Sequence, residues 1–573
     1  MHVELDDRRV ELTPSERGYF SAEIPGVGAG ARYRFVLDGD RVRPDPASRS
    51  QPEGVHGPSE VVDTRFRFQH DAFVPPPLAQ WIIYELHVGT FTRAGTFEAA
   101  IDHLDALVDL GINAIEIMPV AQFPGARNWG YDGVCPFAAH ADYGGPAGLA
   151  AFVDACHARG LAVVLDVVYN HLGPEGNYLG DFAPYFTDRY RTPWGPALEL
   201  DGPDSDEVRR YFIENAVMWL DDFHIDALRL DAVHAIVDAS PRPFLQELAE
   251  RVAELPGPKA LIAESDANDP RLVIPPEQHG IGMDAVWADD FHHALHVVLT
   301  GERDGYYADY VERTRLCSAI EHGFAYRGDY SVFRRRRHGA PTDDVSPSAF
   351  VVCAQNHDQI GNRVDGSRLG AHTTLAGERL AAGLLLTTPH IPLLFMGQEY
   401  GETRPFAYFT SHGDPELVEA VRRGRKEEFA SFGWEREPPD PQSTQTFLDS
   451  KLDRDRVHRS PHRELLELHR SLVALRREYA RHIIGVRPRC ALHDDGHTLA
   501  IVLGDAGELA VIANLDRSAR TATLALPDGR WTVLLDAEDQ RFGGDGPVLD
   551  AQPQPGSRTA LPGFWFAVLR RDA

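Results

Sequence analysis

Cysteine is scarce in this chain: Cys135, Cys156, Cys317, Cys353 and Cys490 are odd in number, widely scattered and never in C-x-x-C spacing. Neither a disulfide framework nor a cysteine-based zinc site is expected from them, and reduced, buried thiols are. Long apolar runs are missing too; no window approaches 18 uncharged apolar residues, so no membrane span is expected. The opening stretch MHVELDDRRVELTPS lacks the basic, then apolar, then small-residue order of a secretory signal, which predicts a cytoplasmic protein. Positive charge is outweighed, with 57 Lys and Arg against 86 Asp and Glu and a net charge of −29. A pI near 5.3 argues against a nucleic-acid partner, whose phosphates would be repelled, and makes a neutral substrate the simplest match. Internal repeats and low-complexity tracts are absent.

What is there reads as a soluble multidomain chain, 43% apolar with a mean hydropathy of −0.31. Its 573 residues exceed one ordinary core. Residues 1–76 hold short alternating runs such as YFSAEIPG and ARYRFVLDGD, which predict a small β-sandwich ending at the stiff FVPPPLAQW linker. From 77 to 485, eight short apolar runs (WIIYELHV, INAIEIMPV, LAVVLDVVYN, IDALRLDAV, KALIAES, AVWADDF, FVVCAQNHD, IPLLFMG) alternate with helix-like segments. Parallel strands need crossover connections, so this pattern predicts a multidomain α/β protein built on a (β/α)8 TIM barrel, with a short insert after the third strand. Residues 486–573 return to short strands, TLAIVLG, ELAVIANL and FWFAVLR among them, and predict a C-terminal all-β domain.

The stretch DALRLDAVHAI places Arg229 and Asp231 two apart on a strand, hence on one face of an enclosed sheet. Burying charge costs several kcal/mol unless it is paired or used. Similar residues stand at other strand ends. The third run ends in Asp166, Asn170 and His171, the fourth in Arg229, Asp231 and His234, and the fifth in Glu264. The sixth ends in Asp289, Asp290, His292 and His293, and the seventh in Asn356, His357 and Asp358. Crowded carboxylates cannot all stay ionised cheaply, so their pKa values separate. One held ionised by arginine becomes a nucleophile, a second keeps a proton for the leaving group, and a third faces developing positive charge. That is the apparatus of glycosidic cleavage through an oxocarbenium-like transition state, with a covalent intermediate and retention. A metal cluster from the same residues fits less well, because they lie on separate strands without local metal spacing.

At these positions the sequence resembles the α-amylase family of glycoside hydrolases: DVVYNH, LRLDAVH, AES and NHD occur in the family's order, each on a predicted strand end. The resemblance implies Asp231 as nucleophile, Glu264 as proton donor and Asp358 as transition-state stabiliser. It also implies Arg229, His171 and His357 as contacts to the sugar in subsite −1, with Tyr131 of NWGYDG as its stacking platform. Asp166 serves either the sugar or Arg229. His292 and His293 either open a helix or touch sugar, and Trp129 and Trp194 have a plain reading as core aromatics.

Finer stretches, among them YELHVGTFTRAGTF, MPVAQFPGARNWGYDGV, YRTPWGPALELDGP and AQNHDQIGNR, resemble one branch of that family over nearly the whole chain. That resemblance implies hydrolysis of the α-1,4 bond joining a maltooligosyl chain to a terminal trehalose, with release of trehalose. By the same analogy RLDAVH, DDFHH and HDQIGN line the cleft, which adds His234, Asp289, Asp290, His292, His293, Gln359 and Asn362 to the sugar contacts. A pathway partner is implied as well, a synthase that makes the 1,1-linked chain end. Two departures stand out. His234-Ala235 replaces the family's Lys-His, whose histidine backbone helps bind calcium, so no metal or other cofactor is expected; and Gln398 stands where relatives carry Glu. The rival readings are a glycogen-branching transferase, a general α-amylase, and a non-catalytic glucan-binding protein; the last has no need of an acid and a nucleophile together.

Overall fold

The structure, a computed structural model, describes residues 1–5, 8–431, 437–494 and 496–572. Its centre is a closed barrel of eight parallel strands: β1 (Ile83–Leu86), β2 (Ala114–Ile117), β3 (Ala162–Val167), β4 (Ala227–Leu230), β5 (Ala260–Ala263), β6 (Ala285–Trp287), β7 (Phe350–Cys353) and β8 (Ile391–Phe395). Each lies within one of the eight apolar runs, and β8 closes on β1 with Leu393 opposite Ile83. The strands read as almost unbroken apolar stretches because both faces are covered, by helices outside and by packed side chains inside. Ile83, Ala114, Val164, Ala227, Ile262, Ala285, Val351 and Leu393 form part of that inner plug, all of them buried.

In register, Asp166 of β3 stands opposite Arg229 of β4, and Arg229 opposite Ile262 of β5. Both charged residues sit at the C-terminal ends of their strands, the rim from which barrel loops project. The segment 168–204 between β3 and the helix Ser205–Val217 carries a hairpin of Phe186–Thr192 and Gly195–Leu198, which holds Trp194 at its turn.

In front of the barrel, four strands lie in the antiparallel order Arg8–Glu11, His2–Leu5, Arg32–Leu37, Arg41–Arg43, with Ser59–Glu60 also pairing Arg32–Leu37. Arg43 Nε donates to Asp181 at 2.6 Å and Arg49 to Asp222 at 2.5 Å, so this sheet is tied to the barrel's β3–β4 side. Behind the barrel, five antiparallel strands run in the order Arg489–His493, Thr498–Leu503, Leu509–Asn514, Phe566–Arg571, Trp531–Asp536. Among the described residues, no helix is long and apolar enough to cross a membrane.

Candidate active site

Arg229 is the hub of the rim. Only 2% exposed, its guanidinium lies over the Trp287 ring of β6 at 4.4 Å. Its NH1 donates to both oxygens of Asp166, at 2.9 and 2.8 Å, and to Asp231 Oδ1 at 2.8 Å. Its NH2 stands 3.6 Å from Glu264 Oε2. One cation thus gathers three carboxyl groups, one on β3 and two just past the ends of β4 and β5, which is how a barrel interior tolerates them. Burial and the neighbouring carboxylates Asp231, Asp289 and Asp358 push Glu264 well above the usual glutamate range, against the pull of Arg229. Burial, with Asp231 beside it, raises Asp166 to about 6 despite Arg229. Proton affinities on one rim are thereby spread apart.

Asp231 is held at its second oxygen by Asn170, whose amide donates to Oδ2 at 2.9 Å. The chain then turns at Ala232, a non-glycine residue at φ +40°, a costly conformation that the surrounding bonds enforce. The N–H of Ala232 donates to Glu264 Oε2, so the strained turn couples the Asp231 loop to Glu264. Asp358 is the second residue of a short helix, His357–Gly361, capped by Asn356, whose side chain accepts the N–H groups of Asp358 and Gln359 at 2.9 and 3.2 Å. This places Asp358 exposed in the cleft, where Asn362 donates to its Oδ1 at 2.6 Å.

A relay of bonds closes the floor. Tyr131 O–H donates to Asp166 Oδ2 at 2.6 Å while its oxygen meets His357 Nε2 at 2.8 Å. His357 Nδ1 pairs with Glu85 of β1. Because the tyrosine proton goes to Asp166, the histidine must donate at Nε2 as well as at Nδ1. Consistent with that, Glu85 raises the pKa of His357 although burial opposes it. Tyr131 and His357 are stacked at 5.3 Å. His171 is fixed by Asn170 Oδ1 at 2.6 Å and the Tyr131 carbonyl at 3.0 Å.

The rim therefore brings together Asp231, Glu264, Asp358, Arg229, Asp166, His357, Tyr131 and His171, with Asp289 beside them. Gln359 is inward rather than free for sugar: its Nε2 donates to Asp289 Oδ1 at 3.1 Å and its Oε1 accepts the N–H of Asn356. Asp289 is raised to about 7, by burial first and then by Asp358 and Asp290. His234 is exposed at the edge, 3.9 Å from Asp266.

Two anticipated sugar contacts are not presented to the cleft. Asp290 is buried, its carboxylate taken up by Tyr310, by Asn268 at 2.7 Å and by the N–H of Ala325 at 2.6 Å. His292 is buried with both ring nitrogens engaged, by the Ala354 carbonyl at 2.7 Å and Tyr307 at 3.1 Å. They sit in the first turn of the helix Asp290–Thr300, the helix-opening alternative, and His293 alone of the three is half-buried, its ring 4.7 Å from Tyr306. The two tryptophans divide: Trp129 is core, stacked on Phe406 at 5.2 Å, whereas Trp194 is 49% exposed and stacked on His171 at 5.1 Å.

Asn170, at the end of the third run, joins the site through Asp231, and Glu85 and Trp287, which the strand-end reading does not include, complete it. Asp266, two residues after Glu264, pairs with Arg334 at 3.2 Å, and Val332 and Phe333 just before Arg334 are exposed. A charged residue inside an apolar run, as in IYELHV, was the available signal for Glu85. No group of three or more metal-ligating side chains is arranged to hold a metal among the described residues.

Residues 48–192 match the α-amylase catalytic domain and residues 490–560 match a domain of unknown function, DUF3459. The malto-oligosyltrehalose trehalohydrolase of Arthrobacter ramosus is 50% identical over 82% of this chain and 83% of its own. That of Saccharolobus solfataricus is 47% identical over 82% and 81%. The chain belongs to the malto-oligosyltrehalose trehalohydrolase family. Among solved structures, a Salmonella typhimurium protein described as an α-amylase superposes with a TM-score of 0.90 at 38% identity, covering all of this chain and 95% of its own.

Proposed function

We propose that this protein hydrolyses the α-1,4-glucosidic bond next to the terminal trehalose of maltooligosyl trehalose, with retention, and releases free trehalose. The observation that carries the reading is the Arg229 guanidinium reaching Asp166, Asp231 and Glu264 at one barrel mouth. In this mechanism Asp231 attacks the anomeric carbon while Glu264 gives its proton to the departing glycosidic oxygen. Trehalose leaves, and a maltooligosyl ester on Asp231 remains. Glu264, now ionised, takes a proton from water, whose oxygen attacks the same carbon and frees Asp231. Asp358 faces the positive charge that develops on the ring, and Arg229 and Asn170 hold Asp231 on line. Asn362 aims Asp358. Gln359, through Asp289, acts from behind. Trp194, exposed and stacked on His171, offers its outer ring face to a sugar at the cleft's edge.

The three-part reading, 1–76, 77–485 and 486–573, belongs to this proposal, with catalysis confined to the middle part. So do a cytoplasmic setting and a synthase acting upstream on the same glucan. The deciding experiment supplies maltotriosyl trehalose and maltopentaose in parallel and separates the products by chromatography. Trehalose is expected to dominate from the first substrate while the second is cut slowly. Mostly maltose from both would make the protein a general α-amylase, and longer branches with altered iodine colour on amylose would make it a branching transferase.

A further inference from the structure

Away from the cleft, the helix Thr314–His322 packs against Arg489–His493, the edge strand of the C-terminal sheet. Cys317 on the helix and Cys490 on the strand bring their sulfur atoms to 2.8 Å. A covalent S–S bond is about 2.05 Å long, so a movement of less than about 1 Å separates this contact from a bond. Cys317 is buried and Cys490 half-buried.

The pair is held from both sides. The N–H of Cys490 donates to Glu321 Oε1 at 2.7 Å, one helical turn beyond Cys317. Arg487, just before the strand, donates to the carbonyls of Glu321, Thr342 and Val345 at 2.8, 3.0 and 2.8 Å. These bonds lock strand and helix in one register, so the two sulfurs meet by construction and not by the chance sweep of a loose loop. The remaining cysteines, Cys135, Cys156 and Cys353, are buried elsewhere.

We infer that Cys317 and Cys490 form a disulfide that fastens the C-terminal sheet to the barrel when the protein meets a small disulfide oxidant such as glutathione disulfide. The half-buried Cys490 reacts first. Its thiolate, after giving its proton to solvent, attacks one sulfur of the oxidant, expelling one thiolate and leaving a mixed disulfide. The Cys317 thiolate then attacks the Cys490 sulfur and expels the second. Two protein thiols are oxidised to one disulfide, and one small disulfide is reduced to two thiols, which take up the two protons. Burial and the adjacent sulfur push the Cys490 thiol well above its ordinary range, so the reaction is slow. This is a lock and not a rapid sensor. The link spans 173 residues, a stretch that includes β7, Asp358 and β8. Fixing two points that far apart restricts the unfolded chain strongly.

The test incubates the full-length protein with glutathione disulfide, then denatures it, alkylates free thiols and maps peptides without reductant. The expected result is three alkylated cysteines in place of five, a cross-linked peptide pair containing 317 and 490, and a loss of the mass of two hydrogens. The oxidised protein should melt several degrees higher, an increase that dithiothreitol reverses, with turnover unchanged. Cys490→Ser, changed at the half-buried partner, should show neither the cross-link nor the shift, and Cys317→Ala should repeat that result. Five free thiols after prolonged oxidation overturn the inference. So does a link through other cysteines, or the same melting shift in either variant.

Discussion

Glu85 holds His357 twice: one carboxylate oxygen pairs with the ring Nδ1, and the other accepts the backbone N–H of the same residue at 3.1 Å. The contact joins β1 to the loop after β7 across the floor of the site. It forces the imidazole to donate from its far nitrogen to the Tyr131 oxygen, which in turn commits the tyrosine proton to Asp166. A residue that never touches the sugar thereby sets the proton inventory beneath it.

Replacing Glu85 by Gln removes the charge that raises His357. A histidine so raised keeps its proton below its folded pKa and loses it as pH climbs through that value, so in the variant the loss comes at lower pH. We expect kcat to fall about 10- to 100-fold with KM little changed, the magnitude of one charged hydrogen bond. The upper limit of activity should also move toward acid. A pH series of kcat for both proteins is the check, and superimposable profiles would remove Glu85 from the mechanism.

Glu264→Gln should lose the acid step outright, with kcat reduced about 10²- to 10⁴-fold while glucan binding, followed by calorimetry, survives. Given an activated glycosyl fluoride, whose departure needs no proton, the same variant should accumulate a glycosyl ester. Mass spectrometry of the digest would place the sugar on the peptide containing Asp231; a sugar on any other peptide defeats that assignment.

Asp289 is among the groups that lift Glu264. Asp289→Asn deletes its negative charge, so the proton on Glu264 is held less tightly and departs at lower pH. The alkaline limb of kcat/KM should therefore shift downward relative to the parent, with the maximum rate falling less than in Glu264→Gln. An unmoved or upward-shifted limb would show that Asp289 does not act on Glu264.

Glu116 of β2 is fully buried and neither carboxyl oxygen has a hydrogen-bond partner. Burial and the nearby Glu85 and Asp166 push it well above the usual glutamate range. The folded protein thus binds this proton more tightly than the unfolded chain, so its contribution to stability declines as pH rises past about 4.5, the unfolded value, toward the folded one. Glu116→Gln should match the parent near pH 4 and melt higher from pH 6 upward. Parallel melting curves across that range would contradict it.

Much of this was legible in the sequence for a physical reason. The eight strands are covered on both faces, so their runs are short and apolar, and each of the eight lies where its run predicts. The Arg229-x-Asp231 pair was readable because strand periodicity fixes which side chains share a face. Asp290 and His292 were not, since helix phase at a loop junction turns on a residue or two. Their neighbours Tyr310, Asn268 and Ala354, which consume their polar atoms, arrive from remote segments. Glu85 escaped for the same reason: its partner His357 lies 272 residues away. Trp194, an aromatic in a turn-rich segment, reads as core by composition and is exposed because its hairpin carries it outward.

The seam between β8 and β1 sets when this enzyme can first exist. During synthesis the acids of β3, β4 and β5 emerge early, but the wall that fixes Glu85 has only one neighbour until Phe395 has left the ribosome and paired beside it. A nascent chain halted before that point would carry every reactive group and no mould to hold them. Catalysis therefore waits until Phe395, about two-thirds of the way along the 573 residues, has been made and has paired beside Glu85.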